Sequence, residues 1–406
     1  MTELYLQGAE LERRFQALDA LLVRHQALWR PRPFVELRLA WEAEHPELAL
    51  WLRARSLEEA ESAHNHPELL PAPGVFSVLA RETAALAQVG ALPSLTLADA
   101  PPRLNVDVPG RKWQQIEAFG SHLGFRQPVE HWLDWCSGKG HLGRRLLQPG
   151  QQLTCFEHDP ALVAAGQQLS EHHRLQAAHC QQDVMAVPLP LADFHTPIAL
   201  HACGDLHVRL LERAAAAGCA RLALAPCCYN RTGTSPYAGL SDAGRKSTLV
   251  LDLDDLGLPL SETVTAGARV RLQRDRSMAR RLGFDLWQRQ ARGVDEYLPT
   301  PSLPVAWMDR PFADYCTELA LLRGLEGLPA GDWAYFEQAG WQRLAEVRNL
   351  ELVRNLFRRP LELWLVLDRA LYLQEHGYDV RVGTFCPASL TPRNLMIVAE
   401  SVATCG

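Results

Sequence analysis

Apolar positions near the start of the chain recur at helical steps. Leu11, Phe15, Leu18, Leu22, His25 and Trp29 alternate between spacings of four and three, one face of an amphipathic helix. Pro31 and Pro33 end it. Further helical patterns run through residues 36–55 and 74–89, before Pro93, Pro101, Pro102 and Pro109 mark an extended linker with a boundary near residue 105. The rhythm then changes. A helix carrying Trp113, Ile116, Phe119 and Leu123 leads into short apolar runs at 131–134, 152–156, 179–184, 197–201 and 221–225. Helical patterns at 161–168 and 206–217 separate them, and such alternation predicts a parallel sheet with helices on both faces. From about 240 to 365 long helical patterns rich in Trp, Leu and Arg take over. Residues 378–385 and 395–399 read as two last strands forming an antiparallel hairpin. The expected architecture is therefore a helical region over 1–105, then an α/β, Rossmann-like domain over 106–406 with a helical, Arg-rich insertion at about 240–365.

Composition narrows this picture only modestly. With 47% hydrophobic and 22% charged residues, the chain reads as an ordinary globular protein. A formal net charge of -6 argues against global attraction to nucleic acid, so an RNA partner would need a local basic patch. Arg269, Arg271, Arg274, Arg276, Arg280 and Arg281 form the one such cluster, and they are the candidate phosphate contacts. The competing reading of that cluster is a solvated helix face paired with acids. The N-terminus has acidic residues and no apolar signal-type core, and the apolar run 361–373 is broken by Glu362, Asp368 and Arg369. A cytoplasmic protein is expected. Ten cysteines occur without a C-x-x-C pair, which suggests free thiols rather than a zinc ribbon or disulfide framework.

The most informative stretch is LDWCSGKGHLG, from Leu133 to Gly143. A strand ends at Asp134, breaks into Cys136, Ser137, Gly138 and Gly140, and a helical pattern follows at once. That is how a doubly wound domain brings backbone close to a nucleotide-like ligand. The carboxylate at the start of the turn repels a pyrophosphate but suits the cationic amino-acid moiety of S-adenosyl-L-methionine (SAM). NAD prefers G-x-G-x-x-G with its pyrophosphate on the helix N-terminus, and here the spacing is C-x-G-x-G. Glu157, at the end of the second strand, follows at about the 20-residue spacing of a ribose-binding acid. Asp183, after the third strand, is placed to accept from an adenine amino group with Val184 against the ring. His201, at the end of the fourth strand, completes the expected cofactor set.

The strand ends HACGD and PCCYN concern the acceptor. Cys227, Cys228, Tyr229 and Asp205 are the candidate catalytic residues, with Tyr229 offering a face for a flat acceptor. Methyl transfer from a sulfonium is an in-line displacement, so positioning and exclusion of water are the main demands. Covalent catalysis through Cys203 or Cys227 is disfavoured by the flanking sequence. No metal site is expected either, because His201, Cys203, Cys227 and Cys228 include adjacent cysteines, which seldom chelate one ion together. A general base stays unassigned among Lys139, His141, His201 and Asp205.

Taken together, KWQQIEAF, LDWCSGKGHLG, LHACGDL, PCCYN and SLTPRNL resemble a family of methyltransferase-like proteins. It includes methyltransferase-like protein twenty-five of animals and the methyltransferase domain of the glutathione S-transferase C-terminal-domain-containing protein. The likeness runs from about 110 to 400 and includes the final antiparallel hairpin of class I methyltransferases. It implies a SAM-binding fold with Asp134, Gly138, Gly140, Glu157 and Asp183 as cofactor contacts, and Cys227, Cys228 and Tyr229 bordering the acceptor. The Cys-Cys turn is also similar to that of a eukaryotic tRNA 2′-O-methyltransferase family, whose cysteines are followed by histidine where this chain has Tyr229 and Asn230. The leading expectation is a SAM-dependent methyltransferase acting on RNA, rRNA or tRNA. The alternatives are a protein or small-molecule acceptor, or a SAM-binding scaffold without catalysis.

Overall fold

A computed structural model describes residues 5–187, 189, 191–261 and 267–402. The chain forms two compact units, one from Met1–Arg24, Ala85–Val264 and Arg359–Gly406, the other from His25–Ala84 and Thr265–Arg358.

The first unit is built on an eight-stranded sheet. Its strands are β1 (Leu6–Gln7), β2 (His131–Trp135), β3 (Gln152–Glu157), β4 (Ala177–Gln181), β5 (His195–Cys203), β6 (Arg221–Cys227), β7 (Tyr378–Thr384) and β8 (Leu395–Ser401). The order is β1-β7-β8-β6-β5-β2-β3-β4. β2 through β6 pair in parallel, whereas β8 runs antiparallel to both β6 and β7. The buried run of β6 (RLALAPC) and that of β8 (LMIVAES) are near-continuous, as strands covered on both faces require. β4 starts two residues earlier than its sequence suggested and stops at Gln181, leaving Asp183 and Val184 beyond it. It is the edge strand and half-exposed, and its residues are poor strand formers by propensity.

Helices Gly110–Ser121 and His141–Leu146 cover this sheet through Ile116, Phe119, Leu142 and Leu146, which join Trp132, Leu153, Ile198 and Val398 in one core. Pro160–His172 starts on Asp159, whose side chain accepts from the Ala161 N–H, with Pro160 at the first position where its missing N–H costs nothing. Asp205–Ala217 ends on Gly218 in the left-handed conformation. The chain steps outward from β2 to β3 and β4 on one side, then crosses back to β5 on the other side of β2, so the strand order reverses there. Open α/β sheets bind ligands at the carboxyl edge of such a switch point.

The second unit is helical. Helices Ala268–Arg292 and Trp333–Asn355 make its spine and cross closely: a Cβ on Gly340 would sit 2.3 Å from the Ala279 carbonyl oxygen and 2.9 Å from the Gly283 nitrogen. Residues 25–84 are stitched to this spine by buried polar contacts. Arg343 donates to the Pro33 and Glu36 carbonyls at 2.6 Å, and Asn349 donates to those of Arg55 and Ser56. Buried donors of this kind are costly to leave unpaired, so the contacts specify the packing strongly.

The division therefore differs from a helical region over 1–105 followed by an independent domain. β1 pairs with β7, setting Leu6 opposite Val382, and this ties the first helix (Ala9–Arg24) to the sheet. The stripe from Leu11 to Trp29 is cut at His25, between Ala9–Arg24 and Gln26–Trp29. Of the helix expected over 36–55 only Pro46–Arg53 forms, after a single 3-10 turn at Ala40–Glu42. An amphipathic stripe reports that one face is buried, not what buries it. Among the described residues no helix is long and apolar enough to cross a membrane.

Candidate functional site

The turn after β2 is shaped by left-handed backbone. Cys136, Gly138 and Gly140 have φ of 53°, 57° and 71°. Gly140 is required twice over: its φ favours glycine, and a Cβ there would lie 2.6 Å from His179 Cε1 and 2.9 Å from Cys155 Sγ. The turn is fixed by two acids. Asp134, only 3% exposed, accepts from the Gly143 N–H at 2.9 Å through Oδ2. Glu157 accepts from the Gly138 N–H at 2.8 Å through Oε2, and from the His158 and Asp159 N–H groups through Oε1. Burial pushes the Asp134 carboxyl up to about 7, against the pull of the Gly143 N–H and the Arg144 guanidinium. A cation brought beside it would restore the charged form.

A cavity of about 550 Å³ opens on this turn, within the range of small-molecule sites. Of the residues expected from sequence, Asp134, Cys136, Ser137, Gly138, Glu157 and His201 line it. Gly140 stands behind the wall and shapes it. Asp183 and Val184 do not line it: Val184 is buried, and Asp183 is exposed with its carboxylate accepting from the Met185 N–H. Helix Gly110–Ser121 supplies a wall that sequence reasoning missed, with Arg111, Lys112, Gln115 and Ile116. The signal was present in KWQQIEAF, where Lys112 and Gln115 share a face at the three-residue helical step. His141 and His201 also line the cavity, both pushed down to about 4 by burial, so both are neutral imidazoles at pH 7. Burial and the neighbouring acids raise the Cys136 thiol to about 12, which leaves it protonated and unreactive.

These residues suit SAM. Asp134 and Glu157 supply negative charge on one wall, while Arg111 and Lys112 on another can meet a carboxylate. Glu157 Oε1 already holds two backbone N–H groups, whereas Oε2 holds one and keeps acceptor capacity for a ribose hydroxyl. Bound there, the cofactor supplies an electrophilic methyl group. The chain's own task is to orient the acceptor and exclude water.

The ends of β5 and β6 form a second cluster. Register sets Cys203 opposite Cys227, with their sulfurs 3.6 Å apart, and Cys228 joins them. The Cys227 thiol also reaches the His201 carbonyl at 3.3 Å. Hydrogen bonds from Cys227 and Cys228 lower Cys203 to about 6, and Cys227 is raised correspondingly. Two expected catalytic residues take other roles. Asp205 accepts from the Gly233 N–H at 2.7 Å and its own N–H donates to the Arg231 carbonyl, so it braces the loop after β6. Tyr229 is 2% exposed, edge-on to His207 with the Arg369 guanidinium 5.2 Å from its ring centre. Its ring is part of the core and presents no face to an acceptor.

The arginine cluster of 269–281 divides as well. Arg280 is buried and donates to the Trp307 and Arg310 carbonyls, Arg281 donates to Pro301, and Arg276 pairs with Asp309 at 2.9 Å. Arg274 lies within 3.7 Å of Glu61. Arg269 and Arg271 are exposed.

Residues 111–234, less than half of the chain, match the family model of a methyltransferase domain. This stretch is a methyltransferase domain. The match begins at the cavity-lining helix, contains the whole Asp134–Glu157 cradle, and ends just past the cysteine cluster. No curated protein matches the chain. Solved structures it resembles include the mitomycin 7-O-methyltransferase MmcR, at 20% identity and a TM-score of 0.23 over 30% of this chain and 41% of that one. The 23S rRNA methyltransferase ErmE matches at 17% identity and 0.24, over 58% of this chain and 96% of its own. The plantazolicin methyltransferase BpumL matches at 13% and 0.26, over 49% and 69%. The chain thus spans less than half the length of the mitomycin enzyme. Scores this low assign neither substrate nor residue roles to the methyltransferase domain.

Proposed function

We propose that this SAM-dependent methyltransferase acts on RNA, rRNA or tRNA, by direct in-line transfer, and that it is of the methyltransferase-like protein twenty-five type. The observation that carries the chemistry is the pair of acids, Glu157 and the buried Asp134, that lines a cavity of about 550 Å³. The acceptor class is supported by the motif resemblance and by the exposed Arg269 and Arg271, which fit phosphate contacts. A second reading, a protein or small-molecule acceptor, is favoured by the net charge of -6 and by the burial of Arg280.

Mass spectrometry of RNA nucleosides from deletion and parent cells decides between them. Loss of one methylated nucleoside supports RNA, and an unchanged profile moves the acceptor to protein or metabolite. If Arg269 and Arg271 meet phosphates, their alanine variants lower the salt slope of RNA affinity by about 1 each. Unaltered slopes would remove them from the site.

A further inference from the structure

We propose that Cys203, Cys227 and Cys228 bind a soft metal ion, zinc in the first instance, through three thiolates with the fourth coordination position open. All three sulfurs lie within 4.8 Å of one another. Zinc–thiolate bonds of about 2.3 Å in a tetrahedron set neighbouring sulfurs roughly 3.8 Å apart. The Cys203–Cys227 separation of 3.6 Å is already close to that value.

Consecutive residues of a strand point to opposite faces, which is why adjacent cysteines seldom share an ion. Here the backbone removes the obstacle. Cys228 follows the end of β6 with φ of 50°, a left-handed conformation that non-glycine residues rarely adopt, and this brings its sulfur to the side of Cys227. On the neighbouring strand the register slips between Leu200 and Cys203, and His201 is left-handed too, with φ of 63°. Two strained non-glycine residues on paired strands therefore converge on one cluster of thiols. Strain of this kind persists where the surroundings over-determine it, and it gathers at functional sites.

The donor set selects the ion. Three sulfurs with no carboxylate among them suit zinc or copper(I) and reject magnesium and calcium. Cys203 and Cys228 are half-buried, so an ion can enter from solvent, while Cys227 is buried and anchors the site. Among the described residues no further His, Cys, Asp or Glu atom belongs to the cluster. A fourth ligand then falls to water or to a substrate atom, the arrangement of catalytic rather than structural zinc. The site lies at the carboxyl edge of the sheet, two residues from the cavity-lining His201. It is independent of which acceptor the methyltransferase uses.

The test is metal binding by the full chain, reduced and stripped of metal under anaerobic conditions. Zinc titrated against a chromophoric chelator is expected to bind at one equivalent. Cobalt(II) is expected to give tetrahedral ligand-field bands with thiolate-to-metal charge transfer. Cys203→Ala and Cys228→Ala should each weaken zinc binding at least as much as the roughly tenfold loss of a second-shell partner, with Cys386→Ala as the unaffected control. S-adenosylhomocysteine binding, read separately, reports whether each variant is folded and whether the cofactor reading holds. An octahedral cobalt spectrum without charge transfer in the parent protein overturns the proposal, whatever the variants do. So does a reduced protein that binds no zinc but forms a Cys203–Cys227 disulfide in air, which would make the pair a redox couple.

Discussion

The turn after β2 and the ends of β5 and β6 leave the same edge of one sheet, yet they reach left-handed backbone by different means. In the cofactor turn the task falls mostly to glycine, at Gly138 and Gly140, where the conformation costs little. At the cysteine edge it falls to His201 and Cys228, where a side chain in that region costs about 1–2 kcal/mol per residue. Where the backbone itself must approach a ligand, the side chain is absent. At the cysteine edge the strained positions carry side chains, and the metal proposal gives the Cys228 sulfur a reason to be there. Cys136 is the intermediate case: left-handed like its glycine neighbours, but with a thiol held inert by burial beside Asp134 and Glu157.

The largest test of this contrast is Gly140→Ala. The added Cβ meets His179 and Cys155 in a position that also disfavours any side chain, so strain and overpacking act together. A loss of roughly 2–5 kcal/mol is expected, the sum of about 1–2 for a left-handed non-glycine and 1–3 for overpacking. Thermal melts and S-adenosylhomocysteine calorimetry measure it; a melting temperature within a degree of the parent would show that the turn yields.

Next comes Glu157→Gln. The change keeps the shape but weakens the hold on the Gly138 N–H and on ribose hydroxyls. Hydrogen bonds to a charged group contribute about 1.5–3 kcal/mol, so cofactor affinity should fall roughly ten- to a hundredfold with the fold retained. Calorimetry that returns the parent affinity would remove Glu157 from the cofactor site.

Asp134 carries a pH signature of intermediate size. Its folded-state carboxyl is raised from 3.8 to about 7, so between those values the folded apo protein holds a proton that the unfolded chain has lost. Stability from this group is therefore fully present below about pH 4 and lost as pH rises towards 7. Asp134→Asn should remove that slope. Denaturant unfolding of both proteins across pH 4 to 8 reads the difference, and parallel curves would mean the group is not shifted. Cofactor binding should tighten over the upper part of the same window, because the charged carboxylate is the form that meets the cationic ligand.

The smallest effect sharpens the contrast most. Cys228→Gly relieves the left-handed strain while adding backbone freedom to the unfolded chain, so a gain of at most about 1 kcal/mol is expected. Zinc affinity should fall in the same variant. A chain that becomes slightly more stable while losing metal would show that Cys228 is kept for its sulfur; destabilisation would show that the thiol is packing.

Legibility from sequence followed the same boundary. Asp134, Gly138 and Glu157 were readable because strand, turn and acid lie in short, ordered succession, and local chemistry specifies them. Asp183 and Val184 follow a half-exposed edge strand, where alternation carries little information, and they do not line the cavity. Tyr229 looked like an acceptor platform until its burial against His207 and Arg369 was seen, and Arg280 looked like a phosphate contact until its carbonyl partners were. Both side chains are committed by partners far away in the sequence, which no local pattern reports.

By itself the sequence determined the α/β alternation, the final antiparallel hairpin and the glycine turn with its acids. These follow from periodicity and turn chemistry, which act over a few residues. Only the tertiary structure decided that residues 25–84 join the helices of 265–358, that Lys112 and Gln115 wall the cavity, and that Cys203 meets Cys227 and Cys228. Each of those depends on strand register or on a packed face choosing its partner, and neither choice is encoded in any one segment.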